Sequence, residues 1–337
     1  MDVRTAIGRL TAHESLTESE MEAVIREIMG GGATPAQIGG FLVALRMKGE
    51  TVDDITGAAR AMRRYATRVP TQLEVVDTCG TGGDMRGTFN ISTAAAFIAA
   101  GAGVIIAKHG NRAMSGAVGG ADVLEALGVK IDLGAEQVAA CLEEVGLSFL
   151  FAQSFHPAMR HVAAPRRELG VRTMFNLLGP LSNPAGAKHQ LLGVFSKQWL
   201  VPLAEALGRL GGRHVMVVHG EDGLDEISLC AETAVAELRD GKVTTYELRP
   251  ETFGLERCKP EALHGGNAAA NAEIIRKILD GSATGAQTGI ALLNAAAAIY
   301  VAGRAADLNA ALAQAREALQ SKRAAAKLEA LVEFTNR

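Results

Sequence analysis

From residue 73 onward, short apolar segments typical of β-strands alternate with segments of helical pattern. The candidate strands lie at 73–77, 104–107, 148–152, 189–195 and 214–219, and a helix is predicted at 92–100. Such alternation is typical of a mostly parallel sheet that helices cover on both faces. The dipeptide Asp240-Gly241, between apolar segments at 235–238 and 243–248, predicts an added hairpin. We therefore predict an α/β fold for this part of the chain.

The first seventy residues have a purely helical pattern. Capping signals at Thr17, Thr34 and Thr51 predict three helices, and the Val69-Pro70 dipeptide is a plausible boundary after them. We predict a helical domain at 1–70 and an α/β domain at 71–337. The helical domain carries an apolar stripe that three helices can bury only in part, which predicts a twofold dimer through it. That stripe consists of Ile38, Phe41, Leu42 and Leu45.

Composition excludes several classes of protein. Hydrophobic residues are 48% of the 337 and charged residues 21%, as in globular proteins. The net charge of −3 argues against a basic surface for nucleic acid over the whole protein. The longest apolar run, 94–107, is short and interrupted by glycines, and the N-terminus lacks a signal-peptide core, so no membrane association is predicted. Four cysteines without paired spacing suggest a reducing, cytoplasmic environment without disulfides or structural zinc.

The first segment with chemical character runs from Asp77 to Asp84, directly after a candidate strand. Its glycines would let backbone N–H groups approach an anion closely, although an ordinary tight turn also accounts for them. It is not a dinucleotide fingerprint, because Met85 stands where the third glycine should fall. Ser92 and Thr93 are predicted to cap the next helix, whose N-terminus would attract phosphate.

The second segment, 108–116, follows the candidate strand 104–107 and continues to Gly119-Gly120. Ligands of open α/β sheets bind at the carboxyl ends of strands. Lys108 and Arg112 would supply positive charge there, whereas a lone His109 would more often be structural. Two donor-rich loops at adjacent strand ends predict a ligand with two separated anionic groups.

The third segment, 219–226, has four carboxylates in its last six positions and follows the candidate strand 214–219. Such a turn can lie beside phosphate only if a cation intervenes, and hard oxygen ligands together with phosphate favour Mg²⁺. A solvated acidic turn is the alternative.

In the fourth segment, 165–184, Arg166 or Arg167 would pair with a substrate carboxylate, unless the two merely form a solvated helix face.

These four segments, in this order, resemble the anthranilate phosphoribosyltransferase family over nearly the whole chain. The matching motifs are GTGGD with TFNIST, KHGNR with ADVLEALG, FHPAMR with PRRELGVRTMFNLLGPLSNPA, and HGEDGLDE. The resemblance implies transfer of a phosphoribosyl group from 5-phosphoribosyl 1-diphosphate to the amine of anthranilate, in tryptophan biosynthesis. It also implies a homodimer and a segment near 165–185 that joins the helical domain.

The resemblance also implies which residues form the site, while no residue is assigned as a general base. Anthranilate contacts would be Gly80, Asn111 and Arg166, and the Mg²⁺ ligands Ser92, Asp225 and Glu226. Gly120 stands where serine is frequent, which would remove one side-chain contact to phosphate. The residues implied for phosphoribosyl diphosphate are Gly80, Gly83, Asp84, Thr88, Asn90, Ile91, Ser92, Thr93, Lys108, His109, Gly110, Asn111, Arg112, Ala113, Met114, Ser115, Gly116 and Gly120.

Two alternatives stay open at this point. A pyrimidine nucleoside phosphorylase would share the architecture, but that family normally carries a KHSTGG-type signature in the first loop, where this chain has DTCGTGG. A non-enzymatic or nucleic-acid-binding relative should lose the acidic pair or gain a basic stripe, whereas this chain keeps Asp225 and Glu226 and is net acidic.

Overall fold

The computed structural model of the chain describes residues 1–113, 118–283 and 285–337. Its seven strands form one sheet in the order β3-β2-β1-β4-β5-β6-β7. The first five strands of that order are parallel, and the last two add an antiparallel hairpin at one edge. The strands are β1 (Val76–Gly80), β2 (Ile106–Gly110), β3 (Leu147–Phe151), β4 (His189–Gly193), β5 (His214–Gly220), β6 (Thr233–Arg239) and β7 (Lys242–Leu248).

The sheet confirms the predicted α/β class and the hairpin. Asp240 and Gly241 both have positive φ, 51° and 74°, as the predicted hairpin turn requires. The main difference is that β1 and β2 end at Gly80 and Gly110 rather than at 77 and 107. Pairing with neighbouring strands carries the ladder past the apolar run, because Gly80 pairs with Gly193 of β4.

Helices cover both faces of the sheet. They are α1 (Val3–Thr11), α2 (Glu18–Met29), α3 (Pro35–Lys48), α4 (Val52–Tyr65), α5 (Ile91–Gly101), α6 (Gly120–Ala126), α7 (Ala135–Glu144), α8 (Ala152–Phe155), α9 (Arg160–Leu169), α10 (Phe175–Leu178), α11 (Leu200–Arg209), α12 (Ala268–Leu279), α13 (Ala286–Val301), α14 (Leu308–Gln320) and α15 (Arg323–Thr335). Within the described ranges, no helix is both long and apolar enough to cross a bilayer.

Alternate residues of the central strands enter two different cores. In β5, Met216 and Val218 pack with α5 and α12–α15, whereas Val215 and Val217 face the opposite side. That second core contains α11 and extends without a break into α1–α4 and α9. The parallel strands are therefore buried on both faces, as their runs of apolar residues predicted, whereas the edge strand β7 is largely exposed.

The helical segment differs from the prediction in one respect. Capping boxes begin α2, α3 and α4 as expected, but α1 precedes them, with the Asp2 carboxylate accepting a hydrogen bond from the Thr5 N–H. Because α1 and α9 both pack against α3, the stripe expected to need a partner is buried inside the chain. Its members, Ile38, Phe41, Leu42 and Leu45, are each at most 2% exposed.

Candidate active site

The acidic turn after β5 rests directly on the ends of β1 and β4. Gly80 and Gly193 are paired across these strands, and a Cβ at either position would overlap an atom of Asp225. The Gly82 N–H also donates a hydrogen bond to Asp225 Oδ2, at 2.8 Å. Glycine is therefore required at two paired strand ends so that a carboxylate from a third strand can reach the first loop.

Glu226 contacts the beginning of α5. Its Oε1 accepts a hydrogen bond from the Ser92 N–H at 3.1 Å, and Lys108 Nζ donates to Ser92 Oγ at 3.1 Å. The three residues implied as metal ligands, Ser92, Asp225 and Glu226, are thus brought together beside a buried lysine. Lys108 Nζ also donates to the Thr78 carbonyl, which fixes the ammonium between β1 and α5.

The ionised forms of Asp225 and Glu226 in this turn are destabilised by electrostatic stress from burial and from neighbouring negative charges. Burial and the nearby charge of Asp84 raise the pKa of Asp225 to about 7. Burial and the charge of Asp225 raise the pKa of Glu226 to about 8, although Lys108 opposes the rise. A bound cation would relieve this stress, because it favours the ionised form of both groups.

The donor set suits Mg²⁺ better than a metal held by protein alone. Over the described residues, no three His, Cys, Asp or Glu side chains converge on one point as a ready-made metal site. Two carboxylates and a hydroxyl leave coordination positions for water and substrate oxygens, as Mg²⁺ sites normally do.

The first glycine-rich loop has the backbone freedom that its sequence predicted. Gly82 and Gly83 have φ of 68° and 79°, and Met85 adopts a φ of 59° as well. Arg172 donates to the Gly83 carbonyl, and its guanidinium lies 4.3 Å from the centroid of the Phe195 ring. Sequence reasoning missed Arg172, which holds this loop from the side of β4.

The predicted cap of α5 was wrong by two to three residues. The helix begins at Ile91 with Asn90 as its N-cap, so Ser92 and Thr93 lie inside its first turn. The Asn90 side chain makes no cap bond. Its amide donates to the Val118 carbonyl at 3.2 Å and its Oδ1 accepts from Asn271 at 3.0 Å, which ties α5 to the second loop and to α12.

The second loop continues from β2, which already contains Lys108, His109 and Gly110. Arg112 does not present a free positive charge, because its exposed guanidinium pairs with Asp122 at 3.0 Å and with Glu125. Three residues implied for phosphate binding, Met114, Ser115 and Gly116, lie outside the described residues. At Gly120, the first residue of α6, a Cβ would meet only Thr93 Oγ1 and Phe149 near 4 Å, so the position has room for a side chain.

A buried polar network beneath the second loop was not predicted. Asp77 accepts from the His109 N–H at 3.0 Å and from the Asn183 amide at 2.9 Å. His109 Nδ1 donates to the Gly179 carbonyl at 3.1 Å, so its Nε2 accepts from His156 Nε2 at 3.2 Å. Burial lowers the pKa of His109 to about 3 and that of His156 to about 4. Both rings are neutral at pH 7, and their role here is to position the loop.

The two adjacent arginines of α9 have different surroundings. The guanidinium of Arg166 lies 5.4 Å from the Phe175 ring centroid, and burial lowers its pKa. Arg167 is exposed. Their side chains diverge by about 100° around the helix, so one faces the protein and the other faces solvent.

Asn111 is oriented by the Arg112 N–H and the Gln153 amide, which both donate to its Oδ1.

Comparisons with known proteins agree over the full length. A family profile described as "Glycosyl transferase family, helical bundle domain" matches residues 4–66, and one described as "Glycosyl transferase family, a/b domain" matches 72–325. The anthranilate phosphoribosyltransferase of Thioalkalivibrio sulfidiphilus is 58% identical over 99% of both chains. That of Thermus thermophilus superposes with a TM-score of 0.93 at 48% identity, covering 98% of this chain and 99% of that one. That of Saccharomyces cerevisiae, solved with PRPP and Mg, gives 0.91 at 27% identity, covering 99% and 98%.

Replacing Gly193 by alanine should displace the acidic turn, because the added methyl group would overlap the Asp225 backbone. We expect the free energy of unfolding to fall by about 1–3 kcal/mol and Mg²⁺ affinity, measured by calorimetry with diphosphate present, to fall by roughly tenfold or more. Gly39→Ala is the matched control, since nothing lies within 4 Å of its added Cβ. Unchanged Mg²⁺ affinity in Gly193→Ala would contradict the proposed contact.

Proposed function

The chain belongs to the anthranilate phosphoribosyltransferase family, and on that premise we propose how its own residues carry out the family's reaction. The enzyme transfers the phosphoribosyl group of 5-phosphoribosyl 1-diphosphate to the amine of anthranilate, giving N-(5-phosphoribosyl)anthranilate and diphosphate. This is a step of tryptophan biosynthesis. Full-length identity of 58% to a transferase favours this reaction over a nucleoside phosphorylase or a non-enzymatic relative.

Asp225 contacts the paired glycines at the ends of β1 and β4, and we base the assignment of the site on this contact. It brings an acidic turn to the edge of the sheet where β1 and β2 end and both glycine-rich loops begin. We infer that the loops bind the diphosphate and the 5-phosphate through backbone N–H groups and Lys108. The residues proposed for this role are Gly80, Gly83, Asp84, Thr88, 90–93, 108–116 and Gly120.

We propose that Ser92, Asp225 and Glu226 hold Mg²⁺. The raised pKa values of the two carboxylates and their position beside the Ser92 hydroxyl support a bound cation, and these three ligands would leave coordination positions for substrate oxygens. When bound, Mg²⁺ neutralises charge that develops on the departing diphosphate. Lys108 would hold the Ser92 hydroxyl in place through its 3.1 Å hydrogen bond.

The anthranilate nitrogen would attack C1 of the ribose as diphosphate leaves, with inversion at that carbon. The amine of anthranilate is neutral at physiological pH, and the buried His109 and His156 are occupied by each other and by the Gly179 carbonyl. No strong base is therefore required. Orientation of the two substrates and stabilisation of the leaving group supply the catalysis.

Gly80, Asn111 and Arg166 are proposed as the anthranilate contacts. A half-buried guanidinium on an aromatic ring is well prepared to accept a planar carboxylate in two hydrogen bonds. The yeast relative has also been solved with 4-fluoroanthranilate, at 28% identity to this chain and a TM-score of 0.90.

The domain division is proposed as a helical domain at 1–70, joined by the segment near 165–185, and an α/β domain over the rest of 71–337. Packing of α9 on α2 and α3 supports the joining segment. So do two long-range hydrogen bonds, in which Arg46 donates to the Arg172 carbonyl and Arg63 to the Leu181 carbonyl, both at 2.7 Å. We also propose that the enzyme works in the cytoplasm, whose reducing conditions suit a chain in which all four cysteines are free thiols.

The function is tested by mixing purified enzyme with anthranilate, phosphoribosyl diphosphate and Mg²⁺ while following anthranilate fluorescence. In this assay Asp225→Asn and Glu226→Gln should lower kcat by at least about a hundredfold, because each removes roughly 2.7 kcal/mol or more of transition-state stabilisation. Circular dichroism should show an unchanged fold. Wild-type turnover by both variants at limiting Mg²⁺ would mean that the turn is only a solvated face.

Arg166→Ala should raise the anthranilate KM by roughly ten- to a hundredfold, since a lost charged hydrogen-bonded pair is worth about 1.5–3 kcal/mol. The KM for phosphoribosyl diphosphate should change much less. Arg167→Ala is the control and should leave both KM values near wild type, because that side chain is exposed. Equal effects of the two substitutions would point to general electrostatics and contradict a specific contact.

A twofold dimer through the helical domain is proposed on a surface different from the buried stripe. On α3, Val43 and Met47 are 36% and 76% exposed although both are apolar. Met47→Glu should weaken the dimer at least tenfold in sedimentation velocity, whereas Val201→Glu, 37% exposed on α11, should not. A wild-type enzyme that is monomeric at micromolar concentration would refute the dimer.

A further inference from the structure

Two thiols meet beside the acidic turn. Cys230 and Cys258 lie far apart in sequence, yet their Sγ atoms are 3.5 Å apart. The backbone supports this approach, because the Cys258 N–H donates to the Leu229 carbonyl at 3.1 Å. The Cys230 N–H donates to Ser228 Oγ at 2.8 Å, which fixes the other side of the pair.

These two cysteines differ from the other two. Cys230 and Cys258 are half-buried, and Cys230 lines a small pocket together with Arg86, Asp222 and Pro260. Cys79 and Cys141, in contrast, are buried, and the hydrogen-bond partners of each are groups other than thiols. Those partners are Asp77 and Gln190 for Cys79, and the Leu147 carbonyl for Cys141.

We propose that Cys230 and Cys258 are a modification site at which a small-molecule disulfide, such as glutathione disulfide, reversibly forms an intramolecular disulfide. One cysteine thiolate attacks the small disulfide, forms a mixed disulfide and releases one thiol. The second cysteine thiolate attacks the protein sulfur of that intermediate and releases the other thiol. Two protein thiols are oxidised, one small disulfide is reduced to two thiols, and these thiols carry the two protons.

The geometry requires little movement. The two sulfurs are in van der Waals contact and must approach by about 1.5 Å to form the bond. Burial, followed by the contact with Cys258, raises the pKa of the Cys230 thiol to about 12. The exchange is therefore slow at neutral pH and accelerates as the pH rises.

The bond would connect the two halves of the site. The chain before Cys230 carries Asp225 and Glu226, whereas the chain after Cys258 pairs with the segment that follows the first glycine-rich loop and leads into α5. In that second segment the Leu263 carbonyl accepts from the Phe89 N–H at 3.1 Å, and the Gly265 N–H donates to the Gly87 carbonyl at 2.9 Å. Oxidation would therefore link the acidic turn covalently to the segment that contains Leu263 and Gly265.

The test is to incubate the full-length enzyme with glutathione disulfide at pH 8.5, alkylate the remaining thiols and digest without reductant. Mass spectrometry should identify a peptide that links Cys230 to Cys258, and dithiothreitol should return both thiols. The intact protein should lose two hydrogens, and its thermal unfolding midpoint should rise by several degrees and fall again on reduction.

Cys230→Ser and Cys258→Ser should each abolish the linked peptide and the reversible rise of the midpoint. Cys141→Ser is the matched control and should keep both, because Cys141 is buried without a thiol neighbour. The proposal would be overturned by a stable glutathione adduct without the internal link, by links between chains, or by the absence of a peptide that links Cys230 to Cys258 after oxidation.

Discussion

The close contact of the Asp225 backbone and carboxylate with Gly80 and Gly193 is the constraint on which the site depends. Parallel pairing of β1 with β4 sets these glycines side by side, and β5 then delivers the acidic turn over them. Any side chain at either glycine would hold the turn away from the first loop. The fold therefore requires glycine at two adjacent strand ends, because only then can the anion-binding loops and the cation-binding turn lie at the same edge of the sheet.

Electrostatics at this edge favour substrate over the empty site. Asp225 and Glu226 repel one another in a partly desolvated environment, while burial lowers the pKa of the nearby Lys108. Without a ligand, the charged forms of Asp225, Glu226 and Lys108 are therefore all disfavoured. A cation and a diphosphate entering together would offset both strains, which is a physical reason for a metal–diphosphate complex to bind as a unit.

Residues on the side of the second core support the second loop from below and position the arginine proposed to bind anthranilate. Asp77, His109 and Asn183 form a buried, hydrogen-bonded network under the second loop, in which the His109 ring stays neutral at physiological pH. Arg166 comes from α9, a helix that packs on α2 and α3 rather than on the sheet. The helical segment therefore positions the proposed acceptor arginine, while the sheet positions the diphosphate loops.

The sequence by itself determined the alternation of strands and helices, the capped helices α2 to α4, the hairpin turn and the segments that line the site, because these depend on local periodicity and turn chemistry. It could not determine α1, whose burial depends on α3, or the cap of α5. It predicted that Arg112 would supply positive charge to the second loop, but it did not indicate that this guanidinium pairs with Asp122 and Glu125. The local sequence does not indicate the roles of Gly193, Asp77 and His156. Only the tertiary structure decided their roles, because each acts on a residue of another strand or loop that pairing of the sheet brings near.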